Sequence, residues 1–327
     1  ERSRGLGDVY KRQDPCLHRM NTQPSRRDFV IRAASLTAAV AGGLSLSACG
    51  GGDAEPEFLY GVASGDPLTD RVILWTHAQF PGADAPVDLR YEVATDAGFS
   101  RVVSQGTVRA SADTGHTAKV DATGLSAGTA YFYRFVHGNT RSAVGQTRTL
   151  PEQASSVSMA VMSCSNYPAG FFNVYSEVAR SDAEYVLHLG DYIYEYAADG
   201  YASGNAATLG RTSSPANEVV TLSDYRRRHA QYKSDPDSKN LHARRPFICV
   251  WDDHDITNDT YRDGAENHNP ATEGPWEARK AAAVQAYHEW MPIRTGSDRG
   301  KIYRSFHFGG LVSLHTVSYT HLRAHET

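Results

Sequence analysis

The chain has 327 residues, 40% apolar and 21% charged, which gives room for two domains of ordinary globular composition. Its net charge of −4 provides no basic face of the size that binds nucleic acid, so specific nucleic-acid recognition is not expected. Fourteen histidines against four cysteines tilt any metal site toward nitrogen and oxygen donors.

Residues 1–19, ERSRGLGDVYKRQDPCLHR, precede a start at Met20 and read as a non-native leader outside the fold. VSYTHLRAHET at 317–327 reads as a non-native tail on the same grounds. Between them, Ser25-Arg26-Arg27-Asp28-Phe29 opens an Ala-rich apolar run to Ala48, the form of a twin-arginine export signal. The run is too short and too small in side chain to span a bilayer well. It ends Leu46-Ser47-Ala48-Cys49-Gly50, a lipobox pattern in which Cys49 would be lipidated. Segment 20–49 is therefore expected to engage the twin-arginine export machinery. The protein would then be periplasmic or at the cell surface, tied to the membrane only through a lipid anchor at Cys49.

Residues 57–150 read as strands. The stretch 72–76 is β-branched and aromatic, and 89–94 and 131–136 alternate with period two. Turn residues punctuate at the spacing of a small sandwich, so an all-β immunoglobulin- or fibronectin-like domain is expected here. It carries no acid–histidine cluster, and His77 and His116 read as structural. Leu150-Pro151-Glu152 marks a boundary, after which strand and helix patterns alternate through 151–316. Strands are expected at 157–162, 185–189 and 246–251, helices around 171–178, 222–233 and 276–290, and a hairpin over 304–314. The Gly/Ser/Ala/Thr-rich stretch 197–220 reads as a surface excursion.

Three of these strands end in chemistry: one at Cys164, one at Asp191, one at Asp252-Asp253-His254-Asp255. Sites in α/β sheets form beyond the carboxyl ends of strands. Clustered carboxylates take up protons unless cations neutralise them. A pair of metal ions does this and clamps the attacking and leaving oxygens of a phosphoryl transfer. Asp191 suits a bridging carboxylate, and Gly190 lets the chain turn tightly before it. Tyr194 can return its phenol to the same centre, where a phenolate favours a trivalent ion such as Fe³⁺, and Cys164 would add a thiolate. Tyr192 and Tyr196 read as packing residues, Cys249 as a core thiol and His188 as a satisfied core histidine. A single disulfide between Cys164 and Cys249 is open to the chain.

SCSN at 163–166, LHLGDYIYEY at 187–196 and VWDDHDITND at 250–259 closely resemble the PhoD-type alkaline phosphatases of the calcineurin-like metallophosphoesterase superfamily. ASGDP at 63–67 with VILWT at 72–76 resembles that family's N-terminal sandwich domain, so the likeness covers roughly 57–316. The resemblance implies an α/β (α+β) metallophosphoesterase sandwich of mixed sheets flanked by helices, preceded by the all-β domain. It implies Cys164, Asp191 and Tyr194 as Fe³⁺ ligands, with Asp191 bridging to a Ca²⁺ side where Asp253 is a ligand. His254 would sit by the leaving group as acid or charge stabiliser. Asp252 and Asn258 are weaker candidates for supporting or Ca²⁺ roles. Arg226 and Arg228 could hold phosphate, or could be surface charge.

The implied reaction is hydrolysis of phosphate mono- and diesters by a metal-bound hydroxide. The family's remaining ligands lie in a further segment beyond the hairpin. His321 and His325 fall in the tail and are not assigned. The chain is thus expected to carry about half a ligand set and to be inactive alone. Two rivals remain: an exported cell-surface binding protein with structural Ca²⁺, which would need neither thiolate nor phenolate, and a metal-free hydrolase using Cys164 as nucleophile.

Overall fold

The computed structural model describes residues 55–318. The export signal, Cys49 and the tail from 319 onward lie outside the described residues. In the first part, strands β1 (Val62–Gly65) and β2 (Arg71–His77) form an antiparallel pair, with Ala63 opposite Trp75. Strands β3 (Val87–Ala94), β4 (Val102–Ala110), β5 (Thr117–Thr123), β6 (Ala130–His137), β7 (Thr140–Arg141) and β8 (Gly145–Arg148) follow. In β2 every residue after Arg71 is buried, as its unbroken apolar run requires of a central strand. In β3 the alternation begins buried–exposed–buried–exposed, placing Val87 and Leu89 inward.

Beyond residue 150 come β9 (Met159–Met162), α1 (Asn173–Arg180), β10 (Tyr185–His188), the short α2 (Ala206–Leu209), α3 (Leu222–Ser234), α4 (Pro236–Arg244) and β11 (Pro246–Cys249). The order then runs β12 (Thr260–Tyr261), β13 (Gly264–Ala265), the short α5 (Pro270–Glu273), α6 (Trp276–Trp290), β14 (Arg304–Phe308) and β15 (Val312–Thr316). The start of α3 is fixed by a capping box: Thr221 Oγ1 accepts from the Asp224 amide, and the Asp224 carboxylate accepts from the Thr221 amide. The start of α4 has Pro236 at its first position, with the Asp235 carboxylate accepting from the amides of Asp237 and Ser238.

The sheets are not divided where the sequence pattern changes. One six-stranded sheet runs β5-β2-β1-β11-β10-β9. Its central junction is a parallel pairing of β1 with β11, Ser64 beside Pro246 and Gly65 beside Phe247. Strands β3, β4, β6, β7 and β8 form the second sheet. The two sheets face each other across Val62, Val72, Leu74, Val87, Leu89, Tyr91, Tyr133 and Phe135. A sandwich therefore exists in 57–150, but one of its layers continues into the following α/β region.

In that region β9, β10 and β11 are parallel; β10 and β11 are buried throughout, while β9 is the edge strand and leaves Val161 exposed. Val186, Phe247 and Cys249 pack against Tyr175, Tyr232, Leu241, Ala283 and Tyr287 of the helices. Tyr185, Leu187 and Ile248 face Phe306 and Phe308 of the β14–β15 hairpin. Cys164 and Cys249 are both free, so no disulfide joins them.

The stretch 197–220 differs from the surface excursion expected of it. Ala206, Arg211, Ser213 and Val219 are buried, and the Arg211 guanidinium donates to the Tyr167 carbonyl and to the Asp235 carboxylate, each at 2.7 Å. Small and polar residues fill the space beside the helices because buried arginines anchor them, Arg211 from within and Arg228 by donating to the carbonyls of Ser214 and Pro215.

Candidate metal centre

Because β9, β10 and β11 are parallel, their carboxyl ends emerge along one edge of the sheet. Two of the turns there use left-handed backbone at non-glycine residues, Cys164 at φ +59° and Asp191 at φ +52°. They are tied to each other: the Cys164 amide donates to the Gly190 carbonyl at 3.2 Å, and the Ser165 amide to the Asp191 carbonyl at 2.9 Å. Gly190 has φ +104°, and a Cβ there would lie 2.4 Å from both the Cβ and the amide nitrogen of Asp252. Only glycine permits the β10 and β11 ends to approach this closely.

The third tie is Asp255. One of its carboxylate oxygens accepts from the amides of Tyr192 and Ile193 at 3.0 and 3.2 Å, the other from the Asp252 amide at 3.0 Å. This buried side chain thus fastens the loop after β10 to the loop after β11. Burial, with the nearby Asp191 charge, pushes its carboxyl well above the usual range, against the lowering effect of these three amides.

The side chains that the sequence singled out meet on this frame. Asp191 Oδ2 lies 3.4 Å from Cys164 Sγ and 3.3 Å from the Tyr194 hydroxyl. Asp191, Asp253 and His254 each place a donor atom within 4.8 Å of the others. Asp191 Oδ1 is buried and has no hydrogen-bond partner among the described residues. A buried carboxylate oxygen without a donor is costly, and a cation bound there would satisfy it. Thiol, phenol and carboxylate converge on Asp191, and this donor set fits a hard trivalent ion with an adjoining oxygen-ligated ion.

The electrostatics agree with that fit. Burial raises the Asp191 carboxyl, Asp253 adds to the rise, and His254 opposes it. Asp252, half-buried, is lifted to about 6 by burial and by the charges of Asp191 and Asp253. The Tyr194 phenol is pushed far above its ordinary value by burial and by Asp191 and Cys164. In the field of the protein alone this phenol stays neutral, so its use as an anionic donor requires a nearby cation.

The sequence reading missed Glu195. It is fully buried, and its carboxylate accepts from His254 Nδ1 (2.8 Å), Thr257 Oγ1 (3.1 Å), the Asn258 amide (2.8 Å) and Asn267 Nδ2 (2.8 Å). Tyr194 stacks on the His254 ring, centroids 4.3 Å apart. Burial alone would lower the His254 pKa, but the hydrogen bond and charge of Glu195, with Asp191 and Asp253, lift it to about 9. No local signal marks it, since its donors His254, Thr257, Asn258 and Asn267 all come from the stretch that follows β11.

The weaker candidates are placed as follows. Asp253 accepts from the Asp259 amide at 2.6 Å. The Asn258 backbone donates to Glu195, while its side-chain amide lies 3.4 Å from the carboxylates of Asp259 and Glu266. The two arginines are neither phosphate ligands nor surface charge. Arg228, 1% exposed, donates to the backbone carbonyls of Tyr194, Tyr196, Ser214 and Pro215. Arg226 forms a fork with Glu289 at 2.7 and 2.8 Å. Both are spent on holding backbone and helices. His188 is buried in the core with Nε2 at 3.1 Å from both Ser165 Oγ and the Tyr175 hydroxyl, but its Nδ1 has no hydrogen-bond partner among the described residues, so it is only half satisfied.

The chain is similar to known proteins. The model of the PhoD-like phosphatase family matches residues 159–327, and that of the PhoD-like phosphatase N-terminal domain matches 45–151. Alkaline phosphatase D of Bacillus subtilis (strain 168) is 41% identical over 276 residues, which cover 80% of this chain and 46% of that protein. A solved structure of PhoD superposes with a TM-score of 0.71 at 38% identity, over 80% of this chain and 52% of that one. The chain therefore spans about half the length of the relatives it matches. With both family models matched in order and the strand-end residues gathered at one sheet edge, the chain belongs to the PhoD-like phosphatase family.

Proposed function

We propose that these residues form part of the active centre of a metal-dependent phosphoesterase that hydrolyses phosphate mono- and diesters. The observation that carries this reading is the convergence of Cys164 and Tyr194 on Asp191, whose second oxygen has no partner among the described residues. Cys164, Asp191 and Tyr194 would hold Fe³⁺, and Asp191 with Asp253 a Ca²⁺ side, with Asp252 and Asn258 in supporting positions. Bound there, the ions would neutralise the carboxylates, polarise the phosphoryl group and activate water.

The chain's own residues supply the rest. Glu195 engages His254 at Nδ1, which leaves Nε2 as the ring's free nitrogen. In the protonated form that its surroundings favour, His254 can donate to a phosphoryl or leaving-group oxygen. The stack of Tyr194 on His254 fixes the ring plane relative to the centre. Among the described residues, Cys164, Asp191, Tyr194 and Asp253 are too few donors to complete two coordination spheres.

Loading the purified chain with Fe³⁺ and Ca²⁺ and recording bound metal and visible absorption tests this. Iron uptake with a visible band that Tyr194→Phe removes is the expected result. Absence of iron uptake, or a band indifferent to Tyr194→Phe, would overturn the assignment.

Export through the twin-arginine pathway and anchoring at Cys49 belong to the same reading and are supported by the sequence of 20–50. Expressed in a bacterial host, the protein should partition with membranes, and Cys49→Ala should release it to the soluble fraction; unchanged partition would remove the anchor.

A further inference from the structure

Beside Cys164 lies a groove of about 310 Å³, lined by Met162, Cys164, Asn166, Phe171, Val174 and Tyr175 among others. We infer that this groove is the subsite for the organic substituent of the phosphate ester, and that it takes a single flat, largely apolar ring. The inference rests on the phosphoesterase reading above and names a substrate class for it.

Position comes first. Cys164 belongs both to the groove and to the donor cluster on Asp191, so an occupant of the groove adjoins the place where a phosphoryl group would sit. Size comes second. The volume is at the lower end of the roughly 300–1,000 Å³ range of small-molecule sites. It suits one ring system.

Chemistry comes third. Phe171 and Val174 remain 57% and 63% exposed at the entry of α1, where apolar side chains gain from a cover. Phe171 is backed by the Arg211 guanidinium, 5.2 Å from its ring centroid and itself pinned to the Tyr167 carbonyl and Asp235. This wall is therefore arranged before any ligand arrives. Gly170, with no atom within 4 Å of where its Cβ would be, leaves the rim open.

The fourth observation is independent. Both amide atoms of Asn166 are closed off from solvent and have no hydrogen-bond partner among the described residues. The fold leaves a donor and an acceptor unused in this wall. An occupant that draws the amide into the groove satisfies both, which favours a ring with a polar edge.

Phosphonates test this without turnover, because their P–C bond is not an ester. With the full 327-residue chain loaded with Fe³⁺ and Ca²⁺, binding of inorganic phosphate, methylphosphonate and phenylphosphonate is measured by calorimetry. Phenylphosphonate should bind about tenfold tighter than methylphosphonate or better. Val174→Glu, at an exposed helix position, should bring the two phosphonates to parity and leave inorganic phosphate unchanged. Phe171→Ser should do the same and guards against a folding defect in the first variant. Parity in the parent chain, with phosphate bound, overturns the subsite and leaves the metal-centre reading intact. A preference for the phenyl compound that survives both variants overturns the location. If none of the three binds, the metal-centre reading fails and the subsite with it.

Discussion

At the scale of single residues, Glu195 decides more of the site than its neighbours suggest. Burial pushes its carboxyl upward, but His254 and the amides of Asn258 and Asn267 outweigh burial and leave it below the usual range. The pair is coupled: a carboxylate held ionised holds its imidazole protonated. Two substitutions separate charge from shape. Glu195→Gln keeps an acceptor and the volume but removes the charge, so the His254 pKa should fall from about 9 by well over one unit. Glu195→Leu also leaves His254 Nδ1, the Asn258 amide and Asn267 Nδ2 without this acceptor, while Thr257 Oγ1 keeps the Asn267 carbonyl, and should cost roughly 3 kcal/mol or more in stability. The sign follows from linkage. A histidine raised in the folded state contributes stability below its unfolded value near 6.5, and loses it as pH rises through about 9. An NMR titration of the His254 ring proton decides the matter; a Glu195→Gln protein still titrating near 9 would remove Glu195 from this role.

At the scale of elements, what could be read from the sequence follows the range of the forces involved. The parallel strands β9, β10 and β11 and the helices α3 and α6 were readable because apolar runs and helical periodicity are local signals. The pairing of β1 with β11 was not, since Ser64 and Pro246 carry no mark of a partner 182 positions away. Cys164, Asp191, Tyr194, Asp253 and His254 were readable as strand-end chemistry. Glu195 and Asp255 were not, because a buried acid and an exposed one look alike until their donors are in place. Helix α4 was overlooked although Asp235-Pro236 is a local start signal. Asp235 does two things there: it caps α4 and pairs with buried Arg211, both side chains being at most 5% exposed. Asp235→Ala removes the cap, worth about 1 kcal/mol, and strands a buried guanidinium, worth about 3–5 kcal/mol. A loss of roughly 4 kcal/mol in urea denaturation is expected. Asp235→Asn retains the cap and should lose clearly less. Equal losses in the two variants would show that the ion pair with Arg211, not the cap, carries the whole effect.

At the scale of the whole molecule, the buried histidines set how stability answers to acid. Burial is the first cause in each case. It lowers His77 and His288 to about 4 and His188 and His229 to about 3, and it lowers His242 still further. Neighbouring charge adds to it, from Lys233 at His188, His229 and His242 and from Lys119 at His288. All five are therefore neutral in the folded protein at pH values where the unfolded chain, near 6.5, has begun to protonate. At these five sites the unfolded state binds more protons throughout the window from about 6.5 down to about 4, so their contribution to stability falls as pH falls across it, and it outnumbers the opposite contribution of the raised carboxyls of Asp191, Asp252 and Asp255. His254 runs in the opposite sense, but its window lies between about 6.5 and 9 and leaves the acid limb untouched. The urea midpoint should drop steadily from pH 7 to pH 4.5, well above the pH at which ordinary carboxylates protonate. His229 offers the cleanest control. Neither of its ring nitrogens has a hydrogen-bond partner among the described residues, and its ring stacks between Tyr192 and Trp290. Phenylalanine at 229 keeps the stack, strands no partner and cannot protonate. His229→Phe should therefore leave stability at pH 7.5 equal or higher and flatten the acid limb by one site's share. A parent protein whose midpoint is level from pH 7 to 4.5 would mean that these imidazoles gain proton-accepting partners in the folded state, and that the interior behind the metal centre is wetter than its packing implies.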